Sequence, residues 1–114
     1  MRIVIPVAGE QLCVHFGHCE KFYFFDVDPH SKKIVKIETL TAPPHQPGLL
    51  PRLLQEKGVN VVIAGGMGVR AQELFKQNGI KVIVGADPVN GSPKETVMSY
   101  LSGSLRMGTN PCEH

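Results

Sequence analysis

The chain has 114 residues, of which 42% are hydrophobic and 19% charged, and its net charge is +2. This size and balance are typical of one globular domain with its own hydrophobic core, and the small net charge gives no electrostatic basis for binding nucleic acid. No apolar run approaches the ~20 residues of a membrane-spanning helix, and the N-terminus lacks the long apolar region of a secretory signal. We therefore expect a cytoplasmic protein with neither nucleic acid nor a membrane among its partners.

The first part of the chain predicts three strands. Residues 2–7 form a short β-branched run typical of a buried strand, and residues 8–20 form a loop dense in Cys and His. Residues 22–27 are rich in aromatics and residues 33–40 alternate partly in polarity, so both segments predict strands. Turn-forming residues at 28–31 join these two strands into an antiparallel hairpin.

The second part alternates helices with strands. Leucines on one face predict a helix near residues 48–58, and two more helices are expected near 67–78 and 93–102. Apolar runs predict strands at 59–64 and 80–84. The first helix should end at Gly58, as a left-handed C-terminal cap would, the second at Asn78-Gly79 and the third at Gly103.

This order of elements predicts a single α/β domain with one mixed five-stranded sheet and three helices packed against it. A helical crossover between the last two strands requires them to be parallel, and the hairpin adds an antiparallel portion. Ser92, Pro93 and Glu95 are a typical helix start for the third helix. We assign residues 1–103 to the domain and residues 104–114 to a flexible tail that carries Cys and His.

The segment from Cys13 to Cys19 holds four side chains that can bind a metal, because His15 and His18 lie between the two cysteines. Thiolate and imidazole together suit zinc, copper, iron or iron–sulfur centres, although this spacing matches no standard zinc pattern. Three cysteines do not suit a disulfide framework. The alternative interpretation is that Cys13 and Cys19 are small buried hydrophobes and that the histidines bond the loop backbone.

Further candidate ligands lie far from this loop in the sequence. Cys112 and His114 form a C-x-H ending, and His45 lies in a proline-rich loop. A tail that folds over the first loop would bring Cys112 and His114 to the same site. The alternative is an inert tail.

A glycine-rich turn at residues 65–68 follows a predicted strand and opens a helix. Gly65, Gly66 and Gly68 would let an anion approach the backbone, where the free N–H groups of the helix and Arg70 are positive. A phosphate, molybdate or an anionic metal–sulfide cluster would suit such a turn. The turn is neither a dinucleotide fingerprint nor a P-loop, and the alternative is that these glycines only form a tight corner.

The sequence gives little support for catalysis. No set of carboxylates is arranged to converge on two metal ions, since Asp26 and Asp28 simply end a strand, and no serine stands in a nucleophile-elbow motif. We therefore predict that the protein is not an enzyme. Two alternatives stay open: a thiol- or metal-dependent enzyme that uses Cys19, and a regulatory protein–protein interaction module.

Several elements with a fairly specific order and spacing extend over nearly the whole chain. They are His15-Phe16-Gly17-His18 leading to Phe22, then Gly58-Val59, Gly65-Gly66-Met67-Gly68-Val69-Arg70-Ala71, Gly79-Ile80, and Tyr100-Leu101-Ser102-Gly103-Ser104-Leu105. In these elements the chain resembles the dinitrogenase iron–molybdenum cofactor biosynthesis family, which includes nitrogenase accessory and cofactor carrier proteins and their small stand-alone homologues. The motifs His18-Cys19-Glu20 and Cys112-Glu113-His114 look like a cysteine-bearing branch of the stand-alone members.

The resemblance implies a ribonuclease H-like architecture without nuclease activity. It also implies binding of the iron–molybdenum cofactor, its precursors or a related metal–sulfur cluster, with cofactor-assembly proteins as partners. In the family topology the strands at residues 2–7 and 59–64 are parallel neighbours. Because ligands of open α/β sheets bind at the carboxyl ends of strands, we expect the site between the Cys13–Cys19 loop and the Gly65–Gly68 turn.

Overall fold

The computed structural model describes residues 1–8, 11–12, 20–41, 49–86 and 92–105. For residues 11–12 only the backbone is described. The helices and strands of these parts of the chain follow in this order: β1 (Arg2–Ala8), β2 (Gln11–Leu12), β3 (Lys21–Asp28), β4 (Lys33–Thr41), α1 (Leu49–Glu56), β5 (Val61–Ile63), α2 (Val69–Gln77), β6 (Lys81–Ile83) and α3 (Pro93–Ser102).

The predicted fold class is confirmed. One mixed sheet has the strand order β4-β3-β1-β5-β6, with three described helices around it. β3 and β4 form the expected antiparallel hairpin, β1 is antiparallel to β3, and β5 is parallel to both β1 and β6. This order is consistent with the ribonuclease H-like architecture. None of the described helices is long and apolar enough to cross a membrane.

The two faces of the sheet carry separate hydrophobic clusters. The first cluster lies under α1 and α2, where Leu54 and Phe75 are fully buried. The second cluster lies under α3, where Val97 is fully buried. Because successive strand residues point to opposite faces, β1 supplies Val4 to the first cluster and Ile3 to the second. β3 and β5 likewise supply residues to both clusters, so the three central strands of the sheet separate the two clusters and contribute to each.

The helices end in the same hydrogen-bonded motif. Gly58, Gly79 and Gly103 have φ values of +75°, +76° and +77°, which is the left-handed conformation that glycine adopts without strain. After α1 the Val59 N–H donates to the Leu54 carbonyl at 3.1 Å, and the Gly58 N–H donates to the Gln55 carbonyl at 3.0 Å. This pair of bonds is the Schellman motif, and both α2 and α3 repeat it.

The apolar residues after two of these glycines hold the helix ends against the sheet. Val59 packs with Leu54, and Ile80 packs with Phe75, all four in the first cluster. An apolar contact between these two positions commonly accompanies a Schellman motif. The recurring Gly-Val and Gly-Ile pairs therefore direct α1 and α2 into the following strands β5 and β6.

The start of α3 follows its sequence signature. Ser92 is the N-cap and its Oγ accepts from the Glu95 N–H at 3.2 Å, with Pro93 in the first turn. The Glu95 carboxylate accepts from the Ser92 hydroxyl at 3.3 Å. Beyond the helix, Leu105 packs against the second cluster, so the first residues of the predicted tail contact the domain. Residues 106–114 lie outside the described part of the chain.

Arg2 connects β1 to β3 and to the segment between α1 and β5 through hydrogen bonds at the amino end of β1. Its guanidinium donates to both carboxylate oxygens of Asp26 on β3, at 2.8 Å from Nε and 3.2 Å from Nη2. Nη1 donates to the Lys57 carbonyl beyond α1 at 2.8 Å, and the Arg2 N–H donates to Asn60 Oδ1 at 2.8 Å. The hydrogen bond from Arg2 lowers the pKa of Asp26 below its ordinary value.

Candidate functional site

The segment from Cys13 to Cys19, called the Cys/His loop below, is flanked on both sides by residues that bond to the carboxyl end of β1. The short strand β2, which the sequence did not predict, pairs antiparallel with β1 through the partners Val7–Leu12 and Ala8–Gln11. On the other side of the loop the Glu20 N–H donates to the Val7 carbonyl at 2.8 Å. The chain therefore leaves β1, and returns to it, at the same place.

The glycine turn lies at the same edge because β1 and β5 are parallel neighbours. Their register pairs Ile3 with Val61 and Val4 with Val62. Because the two strands are parallel, their carboxyl ends lie at the same edge of the sheet, where β1 leads into the loop and β5 leads into the turn. Val7 pairs with Lys21 of β3 on one side and with Leu12 of β2 on the other, so β2 also lies at this edge.

Backbone hydrogen bonds to the end of β6 hold the turn in place. The Gly85 N–H donates to the Gly65 carbonyl at 2.8 Å, and the Ala86 N–H donates to the Ala64 carbonyl at 3.2 Å. Met67 is 1% exposed within the first cluster, and its carbonyl accepts from Gln72 Nε2 at 2.9 Å. The turn is thus held by backbone bonds on the β6 side and by Gln72 on the α2 side.

The amino end of α2 lacks the usual stabilising groups. Its N-cap is Gly68, which has no side chain to accept from the first amides, and the first turn contains no acidic residue. The first hydrogen bond of the helix runs from the Gln72 N–H to the Gly68 carbonyl at 3.1 Å. The preceding N–H groups of α2 have no acceptor within the helix, and they carry its partial positive charge.

In the described part of the chain, nothing requires glycine at position 68. Its φ of −65° and ψ of 154° are accessible to any residue, and an added Cβ would meet no atom within 4 Å. Arg70 is exposed in the first turn, where a cation is unfavourable to the helix dipole. α3, with Ser92 and Glu95, has the capping groups that α2 lacks. The start of α2 is therefore positive and accessible, and it suits an anionic ligand.

The structure describes only part of the predicted site. Gly65 and Gly66 are buried in the turn, whereas Gly68 and Arg70 are exposed at the start of α2. The predicted metal ligands all fall outside the described residues: Cys13, His15, His18, Cys19, His45, Cys112 and His114. Among the residues that are described, no group of three or more His, Cys, Asp or Glu side chains could hold a metal ion.

The carboxylates in the hairpin have structural partners away from this edge. Asp26 pairs with Arg2 at the amino end of β1. Asp28 accepts from the His30 N–H at 2.9 Å in the hairpin turn, and this bond lowers its pKa. Both carboxylates therefore have structural partners in the hairpin and at the amino end of β1.

Sequence reasoning missed the contribution of β6 to the site. Gly85 has a φ of +79° and follows the apolar run of β6, and its N–H holds the turn at Gly65. A glycine directly after an apolar run is the available signal, because it marks a backbone turn at a strand end. The side chain of Gln72, which holds Met67, gave no such signal.

These features define a class of protein: a small α/β domain in which the glycine turn, the open start of α2 and the residues that flank the Cys13–Cys19 segment lie at one edge of a mixed sheet. The chain belongs to the dinitrogenase iron-molybdenum cofactor family, whose model matches residues 1–103. This confirms the family resemblance of the sequence. The family is a cofactor-related accessory group.

Individual relatives agree with this assignment. An uncharacterized protein of Methanocaldococcus jannaschii is 34% identical over 108 residues, which span 92% of this chain and 89% of the relative. The crystal structure of PH0822 matches with a TM-score of 0.84 and 27% identity over 94% of both chains. The apo form of the orange protein from Desulfovibrio gigas has a TM-score of 0.68 at 22% identity, over 96% of this chain and 94% of that one, and shows likeness of fold.

Proposed function

We propose that this protein binds an iron–molybdenum or related metal–sulfur cofactor, or a soft metal ion, as cargo for cofactor assembly or storage. On this proposal the protein is a carrier and not an enzyme, and it works in the cytoplasm. Its partners are the metal cofactor and the proteins that supply or receive it. The family of the chain supports the cofactor theme.

The observation that carries the proposal is the shared edge of β1 and β5. Their parallel pairing directs the carboxyl ends of both strands, which lead into the Cys/His loop and the glycine turn, to the same edge of the sheet. A metal–sulfur cluster needs soft ligands for its metal ions and a positive environment for its net negative charge. A Cys/His loop can supply the first, and the open start of α2 can supply the second.

The two halves of the site have different proposed roles. His15, His18 and Cys19 are the proposed direct ligands, with Cys13 as a further thiolate from the same loop. The Gly65–Gly68 turn and Arg70 are proposed to hold the anionic side of the cluster through backbone N–H groups and a guanidinium. His45, Cys112 and His114 are proposed to complete the metal ligation from other parts of the chain.

The proposal is tested by loading the purified protein under anaerobic conditions. Protein incubated with iron, sulfide and molybdate is freed of excess reagents and measured by elemental analysis and absorption spectroscopy. We expect near-stoichiometric metal with sulfide-to-metal charge-transfer bands. Parallel incubations with zinc or copper alone test the soft-ion form of the proposal. A protein that retains none of these metals at near-stoichiometric level contradicts it.

Single substitutions then test the location of the site. His18→Ala and Cys19→Ser should each lower metal retention severalfold, since each removes a proposed ligand. His30→Ala is the matched control, because His30 is exposed in the hairpin turn at the opposite edge and only its backbone N–H bonds to Asp28. Full retention by both loop variants would place the ligand elsewhere. A substrate turnover that Cys19→Ser abolishes would favour the thiol-enzyme alternative.

A further inference from the structure

β4 is a long strand at the edge of the sheet with exposed apolar side chains. It contains nine residues, and its described partner β3 lies on one side only. Val35 is 73% exposed and Ile37 is 46% exposed. An edge strand of this length presents a row of unpaired backbone groups that can pair with another strand.

The hydrogen bonds of the neighbouring strands show which residues of β4 direct their backbone groups outward. Met1 and Val27 exchange both N–H···O bonds, at 2.8 and 3.2 Å, so the odd-numbered residues of β3 bond to β1. The even-numbered residues of β3 therefore bond to β4, through their register partners Lys36, Glu38 and Leu40. The N–H and C=O groups of Ile37 and Thr39 consequently point away from the sheet.

A β-bulge changes which side chains of β4 lie on each face of the sheet. Asp26 pairs with Lys36 while the next residue, Val27, pairs with Ile34, so Val35 is an additional residue in β4. The bulge shifts the alternation by one position. As a result Ile34 and Ile37 both lie on the face of the second cluster, whereas Lys36 lies on the face of the first.

Charges of opposite sign flank Ile37. Lys36 Nζ lies 2.7 Å from Glu38 Oε1, and both side chains are largely in solvent, at 62% and 43% exposure. A two-fold axis through Ile37, perpendicular to the sheet, would set Lys36 of one copy directly opposite Glu38 of another, twice. The same axis would set Ile37 opposite Ile37 on the other face, with their outward N–H and C=O groups in position to exchange hydrogen bonds.

We infer that β4 pairs antiparallel with β4 of a second copy of the chain, about a two-fold axis at Ile37, and joins two sheets into one. In an antiparallel pair the numbers of two paired residues add up to a constant. That sum must be even for paired side chains to lie on the same face of the joined sheet, since strand side chains alternate. An axis at Glu38 would oppose Glu38 to itself, and one at Thr39 would set Glu38 opposite Leu40. Of these three axes, the one at Ile37 pairs Lys36 with Glu38 and also pairs Ile37 with Ile37.

Features of β4 also disfavour pairing with strands other than a second copy of β4. The bulge twists the strand, and Lys33 and Lys36 disfavour a neutral or basic strand as partner. The charged pair therefore favours the two-fold related arrangement over extended, non-specific association. Because few residues take part, the dimer is weak and forms only at high concentration.

Charge-swap variants test the pairing by sedimentation velocity over concentrations up to about 1 mM. Lys36→Glu sets Glu against Glu38, and Glu38→Lys sets Lys36 against Lys, so each variant alone should dimerise about tenfold more weakly than the wild type. The double variant K36E/E38K restores opposite charges and should recover the wild-type dissociation constant. A 1:1 mixture of the two single variants should form a heterodimer, since each then meets its complement.

The heterodimer is the decisive readout, because damage to either monomer could not produce it. Circular dichroism of each variant confirms that the exposed substitutions leave the fold intact. A wild-type chain that stays monomeric up to the highest concentration overturns the inference and leaves the edge to a strand from another protein or to solvent. A dimer that both single variants retain, with no preference for the mixed pair, also overturns it, because it uses another surface.

Discussion

Replacing Gly68 should stabilise the protein while it weakens the binding of cofactor. In Gly68→Ser the new side chain enters open space at a backbone conformation typical of an N-cap, and its hydroxyl can accept from a free amide of α2. Serine exceeds glycine at an N-cap by a few tenths of a kcal/mol, and reduced freedom of the unfolded chain adds about 0.4–1 kcal/mol. The sum is about 1 kcal/mol, or about 4 °C in Tm for a domain of this size.

Gly79→Ser is the matched control for this variant. An added Cβ at Gly79 also meets nothing within 4 Å, but the φ of +76° makes any side chain strained. The left-handed conformation costs about 1–2 kcal/mol for a residue with a side chain, so this variant should lose about 1 kcal/mol after the gain in the unfolded state. The two substitutions differ in backbone conformation and not in available space.

Urea denaturation of the unloaded protein measures both free energies, and anaerobic loading measures retention of metal. We expect Gly68→Ser to be the more stable variant and the poorer binder, because its hydroxyl occupies the amides offered to the anion. Destabilisation of both variants to the same extent would refute the backbone argument. Unchanged loading of Gly68→Ser would remove the start of α2 from the proposed site.

Two further substitutions test the fold. Asp26→Asn should cost about 1 kcal/mol at pH 7, the upper end for a partly exposed ion pair, as it loses the bidentate bond to Arg2. The pKa of Asp26 is lowered in the folded protein, so the difference in free energy of unfolding between variant and wild type should be complete above the ordinary carboxyl pKa. The difference should fade as the pH falls below about 4. Denaturation at each pH measures it, with the exposed Glu73→Gln as the control. Leu54→Ala should cost about 3 kcal/mol because Leu54 is fully buried in the first cluster, whereas its exposed neighbour Gln55→Ala should change the free energy of unfolding by less than about 0.5 kcal/mol. Equal effects for Leu54 and Gln55 in urea denaturation would mean that α1 does not pack as described.

Local signals predicted most of the fold because each has a short-range physical cause. The left-handed glycines after the helices, and the serine and proline before α3, restrict the backbone within a few residues of themselves. Strand lengths were less accurate. Val59 and Ile80 extend the predicted strands, yet they are buried in helix-terminal motifs outside the ladder. Apolar runs predict burial, and they do not say which buried residues bond to a neighbouring strand.

The candidate site was predictable only in part, for a different reason. β2 consists of two residues, which is too short for any periodic pattern, and its pairing depends on where β1 ends. The parallel pairing of β1 with β5 connects residues far apart in the sequence, and it came from the family resemblance. The ligand role of the Cys13–Cys19 loop stays a prediction, because those residues lie outside the described part of the chain.

The central position of β1 also bears on how the chain folds. The β3–β4 hairpin and the segment from β5 to β6 each consist of contacts that are close in sequence, so both can form quickly. The pairing of β1 with β5 closes a loop of nearly sixty residues, from Ile3 to Val61, and therefore forms late. We expect the amides of β1 to exchange with deuterium only on global unfolding, because they lie between strands on both sides in the centre of the sheet. The edge that carries the candidate site is thus built on the last strand pair to assemble, so a cofactor bound there would slow unfolding of the whole domain.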